Sequence, residues 1–552
     1  MRRRAHLASM LWLTTMALAA IEAGCSKLGF PYTHPEEEQA NCEDILSCQG
    51  NQGNGGGGGE MTTPPPPPPP PPQCLPSEGQ DWAADESCGV FVSATRGDDE
   101  NSGAPGAPVK TLARAIELAP EHEGRVYACA ETFEEALTVT EGVTLYGGLD
   151  CAASWRWDGK KRTTLTTPQD AAAGTVPLTM RAVGETVWLE DIDVTAPSIE
   201  PSNFGVSSIA AIADRCQVKL TRCTLTAGEA APGASGASPE PARATDGGKG
   251  SDGNEACSAD TVKTDAPPVN ECGTPDNSSD DSRGGLGGSG NSIIAGNGGH
   301  GSPGEQTNPN RGTYTAGADG RGRCTDGQEG AAGSHGDEGA GARGIGTLNN
   351  TGYTGVSGND GTAGKTAQGG GGGAGFKGGW PPCPDVNSNG GASGGSGGAG
   401  GCGGKAGKAG GPGGSSIALV SLDAKLSFLD VRLEAQRGGD GGNGASGQQG
   451  GRGGPGGQGG IVAEEYSMDV DFPIKPGCSG GAGGNGGNGG WGGGGLGGHS
   501  LGVAFRDTAG MPPSLGNTVI QVGAPGAGGT GRDSDAIGNA DPGMALETLS
   551  FP

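Results

Sequence analysis

From Gly89 to Ala227 apolar and polar residues follow one another in short runs. "GVFVS", "RVYACA", "EALTVT", "GVTLYGG", "ETVWLEDIDVTA", "SSIAAIAD" and "CQVKLTRCTLTA" are separated by polar or glycine-containing turns. Most of them alternate apolar and polar residues, the period of a strand with one buried face. After the first run, "RGDDENSGAPGAPVKTLARAIELA" predicts a polar turn and an amphipathic helix from about Val109 to Ala119. No helix signals separate the later runs. Repeated short strands of this kind predict a closed, sandwiched or solenoidal β fold.

Two patterns favour the solenoid. Cys129 and Cys151 stand 22 residues apart, about one coil, so they could stack and pair. A two-strand unit also recurs. "SSIAAIADRCQVKLTRCTLTAG" from Ser207 is echoed by "SSIALVSLDAKLSFLDVRLEAQRGG" from Ser415 and more loosely by "SLGVAFRDTAGMPPSLGNTVIQVGAPG" from Ser500. Each echo leads into a glycine-rich tract. A repeated unit that cannot bury its own apolar face must stack on its neighbours.

The segment "VFVSATRGDDENSGAPGAPVKTLARAIELA…GRVYACAETFEEALTVTEGVTLYGGLDC…WRW" resembles the opening of pectin-lyase-like right-handed parallel β-helix proteins. It is particularly similar to uncharacterised surface lipoproteins of Gram-negative soil bacteria. Their pattern runs strand, G-D-D turn, P-x-x-T-x-x-x-A helix, Cys, Tyr-Gly-Gly turn and a second Cys. The likeness covers roughly residues 89 to 228. It implies an all-β fold, a right-handed parallel β-helix, and carries no known activity.

Glycine changes the picture most. Of 552 residues 119 are Gly, about three times the usual share of roughly 7%. Apolar residues make up only 32% and aromatics 4%, too little for one large core of the ordinary kind. The glycines are phased. From Gly438 to Gly459 every third residue is Gly without a miss, and the next position is often Gly too. The same period holds over 327–339, 352–364, 391–403 and 480–498. Three is the period of the polyproline II backbone, whose amides and carbonyls point outward. With glycine on two of three edges, neighbouring strands can approach and bond directly. The third edge carries Asp440, Asn443, Gln449 and Arg452. Collagen would fill the remaining places with Pro, which is rare here. The tracts are similar to the G-G-x repeats of mycobacterial glycine-rich surface proteins and of glycine-rich antifreeze proteins. Each Gly costs about 0.5–1 kcal/mol more than Ala to order, and a backbone hydrogen bond returns only about 1 kcal/mol net. A lone tract therefore stays disordered. The options are a bundle of polyglycine II helices, disordered display loops or a collagen-like trimer.

Charge and cysteines set the compartment. The formal net charge is −27, which argues against nucleic acid and against adhesion to anionic lipid. "MRRR" followed by "LASMLWLTTMALAAI" reads as an export signal, too short for a membrane span. "ALA" at Ala17–Ala19 offers an ordinary cleavage site. "IEAGC" at Ile21–Cys25 resembles a bacterial lipobox that would lipidate Cys25, although Glu22 departs from its apolar pattern. Of 15 Cys, removing Cys25 leaves an even 14, as exported chains that pair their thiols prefer. Nine prolines, Pro64 to Pro72, would span about 28 Å as a spacer. Disulfide candidates are Cys42 with Cys48, and Cys74, Cys88, Cys129, Cys151, Cys216 and Cys223. Cys257, Cys272, Cys324, Cys383, Cys402 and Cys478 lie in or beside the tracts as staples.

The expected organisation is a signal peptide (1–24), an anchored Pro-rich tether (25–73), a first β-helix portion (74–228), a Gly-rich insertion with Cys staples (229–414), one coil (415–437), a Gly-Gly-x tract (438–499) and the last coils (500–552). Catalytic patterns are weak. G-x-S-x-G occurs at Gly391, Gly394 and Gly477 without a strand-then-helix frame. "GNDGTAGKT" approaches a phosphate loop, but Asn359 stands where its first Gly belongs. His300 and His335 sit in Gly-His-Gly-like turns as in polygalacturonase-type hydrolases, without the companion aspartates. Asp98, Asp99, Glu100 and Asn101 form an acidic turn that offers oxygen ligands to Ca2+; its alternative role is to cap the first coil. The "RGD" at Arg96 belongs to that turn. No other metal or cofactor is expected. The functional expectation is a non-enzymatic exported surface lipoprotein of the outer membrane, otherwise secreted, with a structural, adhesive or carbohydrate-binding role and surface polysaccharide as a partner. The alternatives are a polysaccharide lyase or glycoside hydrolase and, on weaker grounds, an ice-binding protein.

Overall fold

The computed structural model describes residues 74–77 and 84–552, apart from short stretches at 274–278, 304–308, 317–321, 381, 468–472, 509–512 and 533–536. The signal segment, the tether, Cys25, Cys42 and Cys48 lie outside the described residues. Three large sheets, all parallel but for one short pair, dominate. Sheet one joins Val90–Val92, Arg125–Cys129, Val143–Asp150, Thr186–Glu190, Gln217–Thr221 and Lys425–Leu429, with Arg156–Trp157 antiparallel to Val143–Asp150. Sheet two joins Thr132–Glu134, Thr163–Thr166, Ile192–Thr195, Thr224–Ala227, Arg432–Ala435 and Val519–Val522. Sheet three joins Leu137–Val139, Leu178–Met180, Ser208–Asp214, Ser416–Leu422, Ser500–Arg506 and Ala545–Ser550. From Arg125 to Ala435 the chain visits sheets one, two and three in turn and then repeats the cycle. Within the three large sheets sequence patterning missed four strands, at Thr132, Arg156, Thr163 and Leu178, each only two to four residues long.

Alternation sends one face of every strand inward. Val126, Leu145, Val187 and Val218 from sheet one meet Phe133, Leu165, Val194 and Leu225 from sheet two and Leu137, Leu178, Ala211 and Leu419 from sheet three in one buried core. Fully burying an aliphatic side chain contributes about 1.5–3 kcal/mol, so each cycle adds its own increment. Sheet three is covered on both faces. Its outer residues Ile209, Ile212, Ile417, Val420 and Leu501 pack against Leu348 and Phe551, and its three central strands, Ser208–Asp214, Ser416–Leu422 and Ser500–Arg506, accordingly read as near-continuous apolar runs. The outer face of sheet one carries a stack of rings. Phe91, Tyr127 and Tyr146 lie 5.0 and 5.3 Å apart, centroid to centroid, and Trp155 sits edge-on to Phe91.

The run "ETVWLEDIDVTA" is two strands with a corner at Asp191, which has a positive φ of 57°. Arg222 (φ 52°) and Asp430 (φ 53°) occupy the same corner in the next two cycles. A left-handed backbone is uncommon for residues with a Cβ. At the Asp191 and Arg222 corners side chains hold it in place. The Arg222 guanidinium bonds Asp191 Oδ1 and Oδ2 at 3.0 and 2.8 Å and also reaches Glu190, while Trp157 Nε1 donates to Asp191 at 2.8 Å.

The N-terminal helix is shorter than the sequence suggests, Leu112–Leu118, with Thr111 as its N-cap. It continues as a 3-10 turn over Ala119–His122, which opens on Ala119 and Pro120.

Candidate functional site: the glycine bundle

Every glycine-rich tract leaves the body at one corner. Residues 228–415, 436–499 and 523–544 each connect a strand of sheet two to a strand of sheet three. The register explains the echoes in the sequence. Ser208, Ser416 and Ser500 are successive partners in sheet three. All three are buried, and their hydroxyls accept the amides of Gly228, Gln436 and Gly523 at 2.9, 2.8 and 2.9 Å. Each serine thus ties the start of an outgoing tract to a strand of sheet three. Departure from one corner brings the tracts side by side.

At the bundle centre, residues 390–402 consist only of Gly, Ala, Ser and Cys and are all buried. Their amides turn through three directions. Ser393, Gly394 and Gly395 donate to the carbonyls of Asn254, Gly288 and Cys478 at 3.1, 2.8 and 2.9 Å. Ser396, Gly397 and Gly398 then return to the same three neighbours, at Ser251, Gly285 and Gly481. Neighbours run in both directions. Residues 439–460 are antiparallel to 393–414 (Gly439 to Gly414, Gly460 to Ser393), whereas 395–413 run parallel to 478–496. The close approach explains why glycine holds two edges. A Cβ on Gly397 would overlap the Gly370 carbonyl oxygen, and one on Gly453 would overlap that of Gly483.

Three disulfides staple the bundle: Cys257–Cys383, Cys272–Cys402 and Cys324–Cys478, closing loops of 126, 130 and 154 residues. Two more, Cys74–Cys88 and Cys129–Cys151, brace the outer face of sheet one. Five disulfides suit an oxidising, extracellular setting. Cys216 and Cys223 correct the sequence expectation, because both are free, buried thiols. Each stands just before a strand of the same cycle, Cys216 ahead of sheet one and Cys223 ahead of sheet two, with its sulfur facing a different backbone carbonyl in the core. Burial pushes their thiols up, to about 11 and about 12.

The polar third edge has a structural job that sequence reasoning missed. At the rim of the bundle some outward amides meet a side-chain oxygen of the next tract instead of a carbonyl. Arg452 and Gln458 donate to Asp246 and Asp252 at 2.6 and 2.8 Å. Ala527 and Thr530 donate to Asp440 and Asn443, both at 2.8 Å, and Gly453 and Gly450 to Asn485 and Asn488 at 3.0 and 2.9 Å. The amide of Gln458 and the ammonium of Lys249 hold the Asp252 carboxyl below its usual range. The Lys408 ammonium and the Ala409 amide do the same for Asp360. The available signal was the recurrence of Asp and Asn in steps of three, as at Asn485 and Asn488.

The motif residues fall into structural places. Ser393 and Ser396 are fully buried and their hydroxyls accept the amides of Asn254 and Ser251 at 2.8 and 2.7 Å. The Ser479 amide donates to Asp326 at 2.7 Å. Asn359, in the phosphate-loop-like run, bonds Ala340 and Gly493 within the bundle. His300 and His335 accept the amides of Asn310 and Asn488 through Nδ1, at 3.1 and 2.9 Å. The acidic turn ties down the chain before the first helix. Asp99 accepts the amides of Lys110 and Thr111 and the Thr111 hydroxyl at 2.8, 2.9 and 3.1 Å, Asp98 accepts the Glu100 amide at 3.1 Å, and Asn101 donates to the Pro108 carbonyl at 2.9 Å. Partial burial works against ionisation of Asp99, but the Thr111 and Lys110 amides outweigh it and keep the carboxyl low. Asp98, Asp99, Glu100 and Asn101 are not gathered as ligands. Among the described residues no group of three or more His, Cys, Asp or Glu is arranged to hold a metal ion. No described helix is long and apolar enough to cross a membrane. No family model, curated protein or solved structure matches this chain.

Proposed function

We propose that the protein is an exported cell-surface lipoprotein with a structural role, in which a right-handed parallel β-helix carries a bundle of polyglycine II helices as a rigid display body. The cyclic visiting of three parallel sheets supports the β-helix, and parallel crossovers are right-handed in about 98% of cases. The amides that turn through three neighbours and return on the fourth residue support polyglycine II. The observation that carries the structural role is the bundle interior. Its centre at 390–402 contains only Gly, Ala, Ser and Cys, the Ser393 and Ser396 hydroxyls are spent on amides, and the buried Gln368 and Gln448 side chains are spent on bundle backbone. Lipidation of Cys25 and the proline spacer would hold this body clear of the membrane.

Two measurements test the proposal. Hydrogen exchange over 390–402 and 438–460 should be slow, and exchange at random-coil rates would refute a packed bundle. In the native host, protease added to intact cells should cleave the protein, and Cys25→Ala should release it from the membrane fraction. Recovery of the wild-type protein in the cytoplasm would refute the surface assignment.

A further inference from the structure

A groove of about 620 Å³ runs along the bundle rim between residues 335–338, 446–449 and 488–491, with 238–242 at its border. Its volume falls within the roughly 300–1,000 Å³ typical of small-molecule sites. Trp491 lies in it, at a third-edge position that follows Ala482, Asn485 and Asn488 and precedes Gly494 and Gly497. The Trp491 carbonyl accepts the Gly339 amide at 2.7 Å, so its backbone is fixed against the opposite wall.

The polar groups beside Trp491 have fixed roles, because the bundle occupies one atom of each. His335 Nδ1 accepts the Asn488 amide at 2.9 Å, which puts the neutral ring's proton on Nε2. Asn488 Oδ1 accepts the Gly450 amide at 2.9 Å, leaving Nδ2 to donate. Gln449 Oε1 accepts from Arg243 at 2.6 Å, leaving Nε2 to donate. The Glu338 carboxylate, held by Arg532 at 2.9 Å, lines the same groove. The groove therefore offers one large ring, three oriented N–H donors and a carboxylate acceptor. Groups held in place before binding lose little freedom on binding.

We propose that this groove binds a short stretch of neutral polysaccharide. A sugar ring has an apolar C–H face that fits an indole, and hydroxyls that both accept and donate. Charge disfavours uronic acids: in the lining the carboxylates of Glu240 and Glu338 outnumber the one guanidinium, Arg532, which Glu338 already pairs, and the whole chain carries −27. The larger cavity nearby, about 830 Å³ beside Cys272 and Cys402, has no aromatic ring in its lining. The proposal deepens the display role and rests on that reading only in requiring a packed bundle.

The test is a titration of the full exported chain with cellotetraose, chitotetraose and trigalacturonate, followed by tryptophan fluorescence and calorimetry. At least one neutral probe should bind saturably and more tightly than trigalacturonate. Trp491→Ala should weaken that binding at least tenfold and Gln449→Ala about threefold to tenfold. Trp380→Ala, which removes an exposed indole outside the groove, should leave it unchanged. Hydrogen exchange over 480–498 should stay slow in both groove variants, so that lost binding reports the groove and not the fold. Should either variant lose that protection, the other decides. No saturable binding of either neutral probe, tighter binding of trigalacturonate, or unchanged binding by the folded groove variants would overturn the proposal. Any of these would leave the bundle's exchange protection and the surface location, the readouts of the display role, untouched.

Discussion

The amide of Ser415 donates to Oγ of Ser207 at 2.9 Å, across 208 residues of sequence. The contact repeats one strand further on in sheet three. The His499 amide donates to Ser415 Oγ at 2.9 Å, and the Met544 amide to His499 Nδ1 at 2.9 Å. A column of side-chain acceptors thus receives the chain each time it returns from a glycine tract to sheet three. Ser415 and His499 are fully buried, so each amide depends on its acceptor.

Ser415→Ala removes the partner of the buried His499 amide. A buried donor left unsatisfied costs about 1–3 kcal/mol. The variant should lose stability in that range in urea titrations with an unchanged m-value. Ser415→Thr, which keeps the hydroxyl, should recover part of it.

His499 makes the column sensitive to acid. Its Nδ1 accepts an amide and its Nε2 lies 2.9 Å from the Ile345 carbonyl, which calls for the neutral ring with the proton on Nε2. Burial lowers its pKa, and the Ile345 carbonyl opposes this more weakly. A lowered histidine pKa means that the unfolded chain takes up the proton first. Stability is therefore full above the unfolded value of about 6.5 and falls as pH drops below it. Denaturation midpoints should decline from pH 7 to 5, and His499→Gln should flatten that slope. An equal slope in the variant would rule out His499 as the source.

Gly397→Ala tests the bundle packing. Its Cβ would meet the Gly370 carbonyl oxygen at the centre, where both sides are backbone. Exchange protection over 390–402 should collapse or the melting temperature should drop by several degrees. Gln458→Ala, at the exposed third edge, should leave both within error.

Removing the staple Cys272–Cys402 by a double Ser substitution should cost about 2–5 kcal/mol. The effect should appear first as faster exchange over 399–405, next to the lost bond.

Cys216 and Cys223 should resist alkylation in the folded protein and react once it is denatured, since burial disfavours both thiolates. Peptide mass mapping before and after denaturation reads this directly. Labelling of either peptide in the native state would contradict its place in the core.

Some of this protein was legible in its sequence, because local rules carry it. Period-two alternation marked most strands, and the echoes at Ser207, Ser415 and Ser500 marked units that turn out to be neighbours in sheet three. Glycine in steps of three marked tracts whose backbone can bond in three directions. Pairing is different, because it depends on residues far apart in the chain. Cys216 and Cys223 looked like the other cysteines, but the packing of their strands turns both sulfurs into the core. That Asp246, Asp252 and Asn488 each bond a backbone amide depends on which tract comes to lie beside them. Trp491 lines a groove only because residues 335–338 come to lie beside it. Periodicity along one chain determines which edge of a tract a residue occupies. Only the packing of distant segments, here imposed by departure from a single corner, decides what that edge faces.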